Sequence, residues 1–224
     1  MPTDHVYDRG RGERIGLDEV VLCLSKTPQQ IADILSRAGA DGRRMLLTRL
    51  DPEKAASLKP NPSLALDYDP ESHTGILGGS APMRRHMAVA IVTAGTSDSL
   101  VAREAARTLA YYGLESELFA DLGVAGLWRL LERRDAIAAY PIVIAVAGME
   151  GALFSVLAGL IGSVLIAVPT SHGYGVSAAG RTALQAALGG CAPGVLTVNI
   201  DNGFGAACAA LRIANAAAPA KDGD

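Results

Sequence analysis

The sequence predicts an α/β protein in two parts. A small α/β N-terminal domain with its linker covers residues 1–80, and a three-layer αβα domain with a parallel sheet covers residues 81–224. Three observations predict this. Five short segments after residue 87 that read as strands (AVAIVT, ESELFA, PIVIAVA, VLIAVP and VLTVNI) are each followed by a helical segment. Strands alternating with helices make βαβ units, which cover both faces of a parallel sheet. Half of the residues are hydrophobic but only 4% are aromatic, with Ala and Gly abundant, which suits close packing of helices on a sheet. From Pro70 to Arg85 the chain reads PESHTGILGGSAPMRR, a polar and glycine-rich stretch that is expected to be a linker or mobile segment between the parts.

In the first part, VVLCLS (Val20 to Ser25) is expected to be a strand. Thr27 then opens the helix TPQQIADILSRAG: Pro28 suits a first helical turn, Gln30 completes a capping box, and Gly39 is a plausible stop. RRMLLTRL supplies a second strand, Asp51-Pro52-Glu53 starts a short helix, and Leu64 to Tyr68 is expected to add a third strand.

The second part begins with AVAIVT (88–93) and the turn AGTSD. The helix SLVAREAARTLAYYG follows, with apolar residues at Leu100, Val101, Ala105, Leu109 and Tyr112 and a stop at Gly113. VAGLWRLLERR, EGALFSVLAGL, AAGRTALQAALGG and NGFGAACAALRIAN are the helices after the remaining strands. Gly151 to Pro169, GALFSVLAGLIGSVLIAVP, lacks charge and is long enough to raise the question of a membrane span. Its glycines at 159 and 162 and its change of texture at Gly162 favour a short helix followed by a buried strand.

The net charge of −3 gives no basic face for nucleic acid. Cys23, Cys191 and Cys208 are odd in number and irregularly spaced, so neither a disulfide framework nor a CxxC metal site is indicated. The polar start MPTDHVYDRGRGERIG has no apolar signal core, which makes a cytoplasmic location the expectation.

Ligands of open parallel sheets bind beyond the carboxyl ends of the strands. In AGTSD, Gly95 permits close backbone approach, and Thr96 and Ser97 offer hydroxyls beside a helix N-terminus that favours anions. Ser97 or Asp98 could equally serve as a helix cap. Neither GxGxxG nor GxxxxGK[ST] is present, since Ala178 stands where Gly173 and Gly175 would need a third glycine. AGMEG places Glu150 at a strand-to-helix turn, as a proton-transfer base or as a first-turn carboxylate favoured by the helix dipole. His172 lies in the loop PTSHGYG, and Asp201 and Asn202 follow the last strand, to bind ribose or to cap the final helix. Cys191, in GGCAPGV, follows a helix and precedes a strand. It therefore belongs at the amino ends of the strands, as a structural loop residue or as one reaching a neighbouring subunit's pocket or a kinked insertion.

The motifs VAIVTAGTSD, DLGVAGLWRLL, VAGMEGAL, VPTSHGYG, GGCAPGV and NIDNGFGAA, in this order, resemble the LarB family, as does CLSKTPQQI…LLTRLDPEKA in the first part. The second domain of that family is PurE-like, resembling the aminoimidazole ribonucleotide carboxylases and mutases with their flavodoxin/Rossmann-like sheet. The resemblance implies pyridinium-3,5-biscarboxylic acid mononucleotide synthase activity in nickel-pincer nucleotide biosynthesis. Such an enzyme carboxylates C5 of the pyridinium ring of nicotinic acid adenine dinucleotide with CO2 or bicarbonate. It also cleaves the phosphoanhydride, releasing AMP. Carried over by motif, Cys191 is the nucleophile and Glu150 the base, with His172 the next candidate. A thiolate adds to a ring carbon and also leaves well, which suits a transient adduct.

The resemblance also implies substrate contacts from the strand-end loops: Gly95, Thr96, Ser97 and Asp98, then Asp121, Gly148 and Met149. Ser171, His172, Gly173, Asp201 and Asn202 complete that set, and Thr48 and Arg49 of the first domain are nucleotide or phosphate contacts. It implies no tightly bound cofactor beyond a divalent cation such as Mg2+, and a homo-octamer. The chain departs from the family pattern at Trp128, where a histidine is expected, at GGCAPG, and at His172, where a small aliphatic residue is common. A PurE-type ribonucleotide mutase, a divergent LarB-like enzyme and a nucleotide-binding module are the alternatives.

Overall fold

A computed structural model describes residues 6–58 and 65–217, and the chain divides into two compact units, Met1–Pro82 and Met83–Asp224. In the first unit, the short helix α1 (Arg11–Ile15) precedes β1 (Val21–Leu22), α2 (Pro28–Ala40), β2 (Met45–Thr48), α3 (Pro52–Leu58), β3 (Leu66–Asp69) and β4 (Thr74–Leu77). Its sheet has the order β1-β2-β4-β3, with β1 parallel to β2 and the other pairs antiparallel. Thr27 caps α2 with the expected capping box: its hydroxyl accepts from the Gln30 N–H, and the Gln30 side chain accepts from the Thr27 N–H. Ile31, Ile34, Leu35 and Ala38 recur at helical spacing and pack on Met45, Leu47 and Leu50.

Three expectations for this unit need correction. The strand expected over Val20–Ser25 shrinks to two residues, because the chain turns at Cys23, whose carbonyl accepts from the Lys26 N–H. Gly39 does not end α2. The helix runs to Ala40 and the left-handed turn falls on Gly42. Most consequentially, the segment expected to be a linker contains β4, a fully buried strand inside the sheet. Its glycine is part of the reason: a Cβ at Gly75 would come within 3.0 Å of the Leu66 side chain. Leu64, the expected start of the third strand, lies outside the described residues.

The second unit alternates as predicted: β5 (Arg84–Thr93), α4 (Ser99–Tyr111), β6 (Leu114–Phe119), α5 (Leu127–Ala138), β7 (Ile142–Ala147), α6 (Ala152–Leu160), β8 (Val164–Pro169), α7 (Arg181–Gly189), β9 (Leu196–Thr197) and α8 (Gly203–Ala217). All five strands are parallel, in the order β6-β5-β7-β8-β9. The three-layer αβα fold class read from the sequence is the one observed. β5 begins four residues earlier than AVAIVT, and β9 keeps only two residues of VLTVNI.

Period-two alternation in the strands divides the core between the two faces. Ala90, Val92, Val143, Ala145, Leu165 and Ala167 pack with Leu130 and Ile137 of α5, Leu153, Phe154 and Leu157 of α6, and Ala183 and Ala187 of α7. The intervening Val89, Ile91, Ile144, Val146, Ile166 and Val168 are buried as well, and α4 and α8 pack together against these strands from the other side. Truncating a side chain such as Leu157 here costs about 2–5 kcal/mol. The uncharged run Gly151 to Pro169 forms α6 and β8, and no helix among the described residues is long and apolar enough to cross a membrane.

The strand order places the topological switch point between β5 and β7. Their following helices leave on opposite faces, the arrangement at which open α/β sheets bind ligands beyond the strands' carboxyl ends.

Candidate active site

Asp98 is the buried charge at this switch point. It ends the Thr96–Asp98 turn after β5, precedes α4, and is 2% exposed. One carboxylate oxygen accepts from the Gly95 N–H (2.9 Å) and the other from the Thr170 hydroxyl at the end of β8 (2.7 Å). Burial pushes its carboxyl above the usual carboxylate range, against the pull of Thr170, Gly95 and His172. Asp98 makes no side-chain hydrogen bond as a cap of α4. Its cap-like bond closes the three-residue turn instead, while Thr96 and Ser97 stay exposed.

The β7 and β8 loops are joined to each other. The Met149 N–H donates to the His172 carbonyl (2.8 Å), and the Thr170 N–H to the Ala147 carbonyl (2.9 Å). Gly148 makes this approach possible, since a Cβ there would lie 2.1 Å from the His172 oxygen. The His172 imidazole Nδ1 stands 3.9 Å from Asp98 Oδ1, with the ring about half exposed. After β9, the Asp201 carboxylate accepts from the Ser171 N–H (2.7 Å). Residues from β5, β7, β8 and β9 thus meet at one edge. Gly173 closes the β8 loop against Ser177, whose N–H donates to the Tyr174 carbonyl.

Other expected residues are placed differently. Glu150 is exposed, and its carboxylate has no hydrogen bond or ion pair among the described residues. Asp121, after β6, pairs with Arg129 of α5, and its N–H donates to the buried Thr93 hydroxyl. Asn202 is a cap: its side-chain oxygen accepts from the Gly205 N–H in the first turn of α8. Trp128, in the first turn of α5, is exposed. In the first unit, Thr48 is buried at the end of β2 and Arg49 follows with φ 53°.

Cys191 is exposed in the loop between α7 and β9. That loop enters β9 from its amino end, so within one chain the thiol is on the opposite edge from Asp98 and His172. Cys23 is fully buried, and burial pushes its thiol up to about 12. Cys208 lies half-buried in α8. Among the described residues, no group of three His, Cys, Asp or Glu side chains is arranged to hold a metal ion.

Sequence reasoning missed Thr93 and Thr170. Both are buried strand-end hydroxyls that tie one loop to another. A threonine closing an otherwise apolar run, as in AVAIVT and VPT, is the signal that could have found them.

A parallel sheet with this strand order and a polar switch-point cluster defines an α/β protein with a ligand site at its carboxyl edge. Comparison with known families narrows the class. Residues 88–222 match the AIR carboxylase family, and residues 5–78 match the LarB/PurE-like N-terminal domain. The chain belongs to the LarB family, whose C-terminal domain is PurE-like, and these domains mark a carboxylase-like family. An uncharacterized protein of Methanocaldococcus jannaschii is similar to it, 47% identical over 120 residues; the match covers 53% of this chain and 46% of that relative. The chain therefore spans less than half the length of that curated relative.

Proposed function

We propose that this protein carboxylates C5 of the pyridinium ring of nicotinic acid adenine dinucleotide and hydrolyses the phosphoanhydride, giving pyridinium-3,5-biscarboxylic acid mononucleotide and AMP. The observation that carries this reading is the pairing of a LarB-type first domain with an AIR carboxylase domain along one chain. An exposed thiol, Cys191, in a glycine-bounded loop supports it, because a non-catalytic nucleotide-binding module would have no use for one.

The chemistry follows from the ring. C5 of a pyridinium cation is a poor nucleophile towards CO2. Addition of the Cys191 thiolate to the adjacent ring carbon places an enamine-like pair on C5, which then forms the bond to CO2. A base removes the C5 proton, the C–H pair restores the ring double bond, and the thiolate leaves. Glu150 and His172 stand on the two loops from which that base can come. Water attacks the phosphoanhydride, AMP is the leaving group, and the helix N-terminus behind Thr96 and Ser97 offers backbone N–H groups to phosphate.

Because Cys191 and Asp98 stand at opposite edges of one subunit, this reading requires a second copy of the chain, as in a homo-octamer, to bring the thiol to the site. A divalent cation such as Mg2+ on the phosphates is compatible with it. The test is incubation with nicotinic acid adenine dinucleotide and bicarbonate, followed by mass spectrometry of the products. Carboxylated mononucleotide and AMP are expected. A second experiment mixes Cys191→Ala with Asp98→Asn subunits. Activity regained by mixing two inactive variants supports a shared site, and no product from the wild type ends the reading.

A further inference from the structure

We propose that Glu104 is a positioning residue: from α4 it fixes the start of α8, and so sets the Asp201 turn where the loops after β8 and β9 meet. Its bearing on turnover rests on the carboxylation proposed above. Among the described residues only two charged side chains are buried, Asp98 at 2% and Glu104 at 5% exposure. Both belong to one segment: Asp98 immediately precedes α4, and Glu104 lies in the second turn of that helix. A buried carboxylate is costly unless donors meet it. Glu104 Oε2 accepts from the backbone N–H of Phe204 (3.1 Å), a partner 100 residues along the chain.

Phe204 is in the first turn of α8, where the N–H groups of a helix have no partner within it. Asn202 takes one of these, the Gly205 N–H, from the ordinary cap position. Glu104 takes another from a different helix, and its charge is favoured at the positive end of α8. The two helices approach closely here: a Cβ on Gly203 would lie 2.2 Å from the Val101 carbonyl oxygen and 3.0 Å from Glu104 Oε2. The remaining buried residues of α8 (Ala206, Ala207, Ala210, Leu211 and Ala214) are apolar, and burial of that kind is non-directional. The Glu104 bond selects one position of α8 along α4.

The consequence reaches the carboxyl edge. β9 pairs with β8 only over Leu196 and Thr197, so the regular sheet ends well before α8. In between, Asp201 has φ 55°, its N–H donates to the Pro169 carbonyl (2.8 Å), and its carboxylate accepts from the Ser171 N–H (2.7 Å). This turn is thus joined to the β8 loop on one side and runs into the anchored start of α8 on the other. Asp98, held by the Gly95 N–H and the Thr170 hydroxyl, stands at the head of α4. Glu104 follows about 9 Å along the helix axis. One helix therefore carries both the β5 turn and the anchor of the β9 turn.

The experiment uses the full chain and two measurements: turnover of nicotinic acid adenine dinucleotide with bicarbonate, and NMR hydrogen exchange at the Ser171 and Gly95 amides. Glu104→Met keeps the bulk and removes the acceptor. It should speed exchange at Ser171 by about tenfold or more and leave Gly95, which Asp98 holds, unchanged. The value of kcat/KM should also fall by about tenfold, and Glu104→Gln, which keeps an acceptor oxygen, should recover most of both losses. Asp201→Ala should lose at least as much, and adding Glu104→Met to it should lower kcat/KM no further. Equal acceleration at both amides, or losses that multiply in the double variant, would mean that Glu104 only stabilises the fold, and overturns the proposal. Where Glu104→Met does not fold, Glu104→Asp, which draws the carboxylate back by one carbon, decides by the same comparison of amides. A wild type that makes no product refutes the carboxylation and not the positioning, which selective exchange at Ser171 then decides alone.

Discussion

At the carboxyl edge of the large sheet the chain turns left-handed on residues that keep a side chain, such as Asp121, Met149 and Asp201, as well as on Gly151, Gly175 and Gly180; at the amino edge the described residues do so on glycine alone, Gly113 and Gly194. A left-handed backbone costs an L-residue about 1 kcal/mol or more, and glycine almost nothing. The amino-edge turns take the low-energy solution that joins a helix to a strand. Asp121, Met149 and Asp201 accept strain and keep a carboxylate or thioether at that edge, which also carries the buried Asp98. Strain and buried polarity coincide at one edge, while the exposed thiol of Cys191 stands at the other. The hydrogen-bonded loops of one edge stand apart from the exposed loop of the other, and the proposed covalent route requires the two to meet across copies of the chain.

The strongest test is to remove that nucleophile. Cys191→Ala should abolish ring carboxylation while leaving the melting temperature close to wild type, because the side chain is exposed. Product formation from nicotinic acid adenine dinucleotide and bicarbonate is the measurement, and full turnover in the variant ends the covalent route. Alkylation sharpens the contrast between the cysteines. Cys191 should react with iodoacetamide in the native protein, and Cys23, buried and pushed up to about 12, only after unfolding.

Next in size are two glycine substitutions that separate space from conformation. At Gly148 a Cβ would overlap the His172 carbonyl, so Gly148→Ala should destabilise by about 1–3 kcal/mol or more and lower turnover. At Gly194, φ is +82° and nothing lies within 4 Å of a Cβ. Gly194→Ala should therefore cost only about 1 kcal/mol. Denaturant titration of both variants is the check. Equal losses would mean that the carboxyl-edge loops are no more tightly fitted than the amino-edge ones.

The large sheet was legible because its inner strands β5, β7 and β8 carry apolar runs, each followed by a turn and a helical segment, while the edge strand β6 (LESELF) alternates apolar and polar residues. β4 was not. Four residues in a glycine-rich setting have too short a pattern to stand out, and Ile76 and Leu77 are buried by pairing with both β2 and β3, which no local signal announces. Cys191 was placed at the amino edge from chain order alone. The roles within the site were harder to read. Asp98 looked like a helix cap as much as a ligand group, and what distinguishes it is Thr170, a partner 72 residues away in sequence. Asn202 carried the same ambiguity, and here the cap is what the structure shows.

A smaller effect concerns pH. Burial raises the Asp98 carboxyl in the folded protein, so between its unfolded and folded values the folded state binds more protons. The stability this proton uptake contributes is fully present below the ordinary aspartate value near about 3.9. It is lost as pH rises through the folded value. Asp98→Asn removes this dependence. The stability of the wild type relative to the variant should therefore fall as pH rises across the range just above the usual carboxylate value, and then level off. A difference that is flat across that range would mean that Asp98 is not desolvated.

The smallest effect is the one that most directly probes the cost of the carboxyl edge. Met149 has φ 50° and is 41% exposed, so its side chain contributes little burial to offset its backbone strain. Replacing it with glycine relieves about 1–2 kcal/mol of left-handed strain and adds about 0.5–1 kcal/mol of unfolded-state entropy. The N–H that donates to the His172 carbonyl remains in place. Met149→Gly should therefore melt at the same temperature as the wild type or slightly higher. A fall in turnover alongside unchanged stability would show that the side chain is retained for the site. A clear drop in melting temperature would show instead that Met149 packs as part of the fold, and the contrast between the two edges would then rest on Asp121 and Asp201 alone.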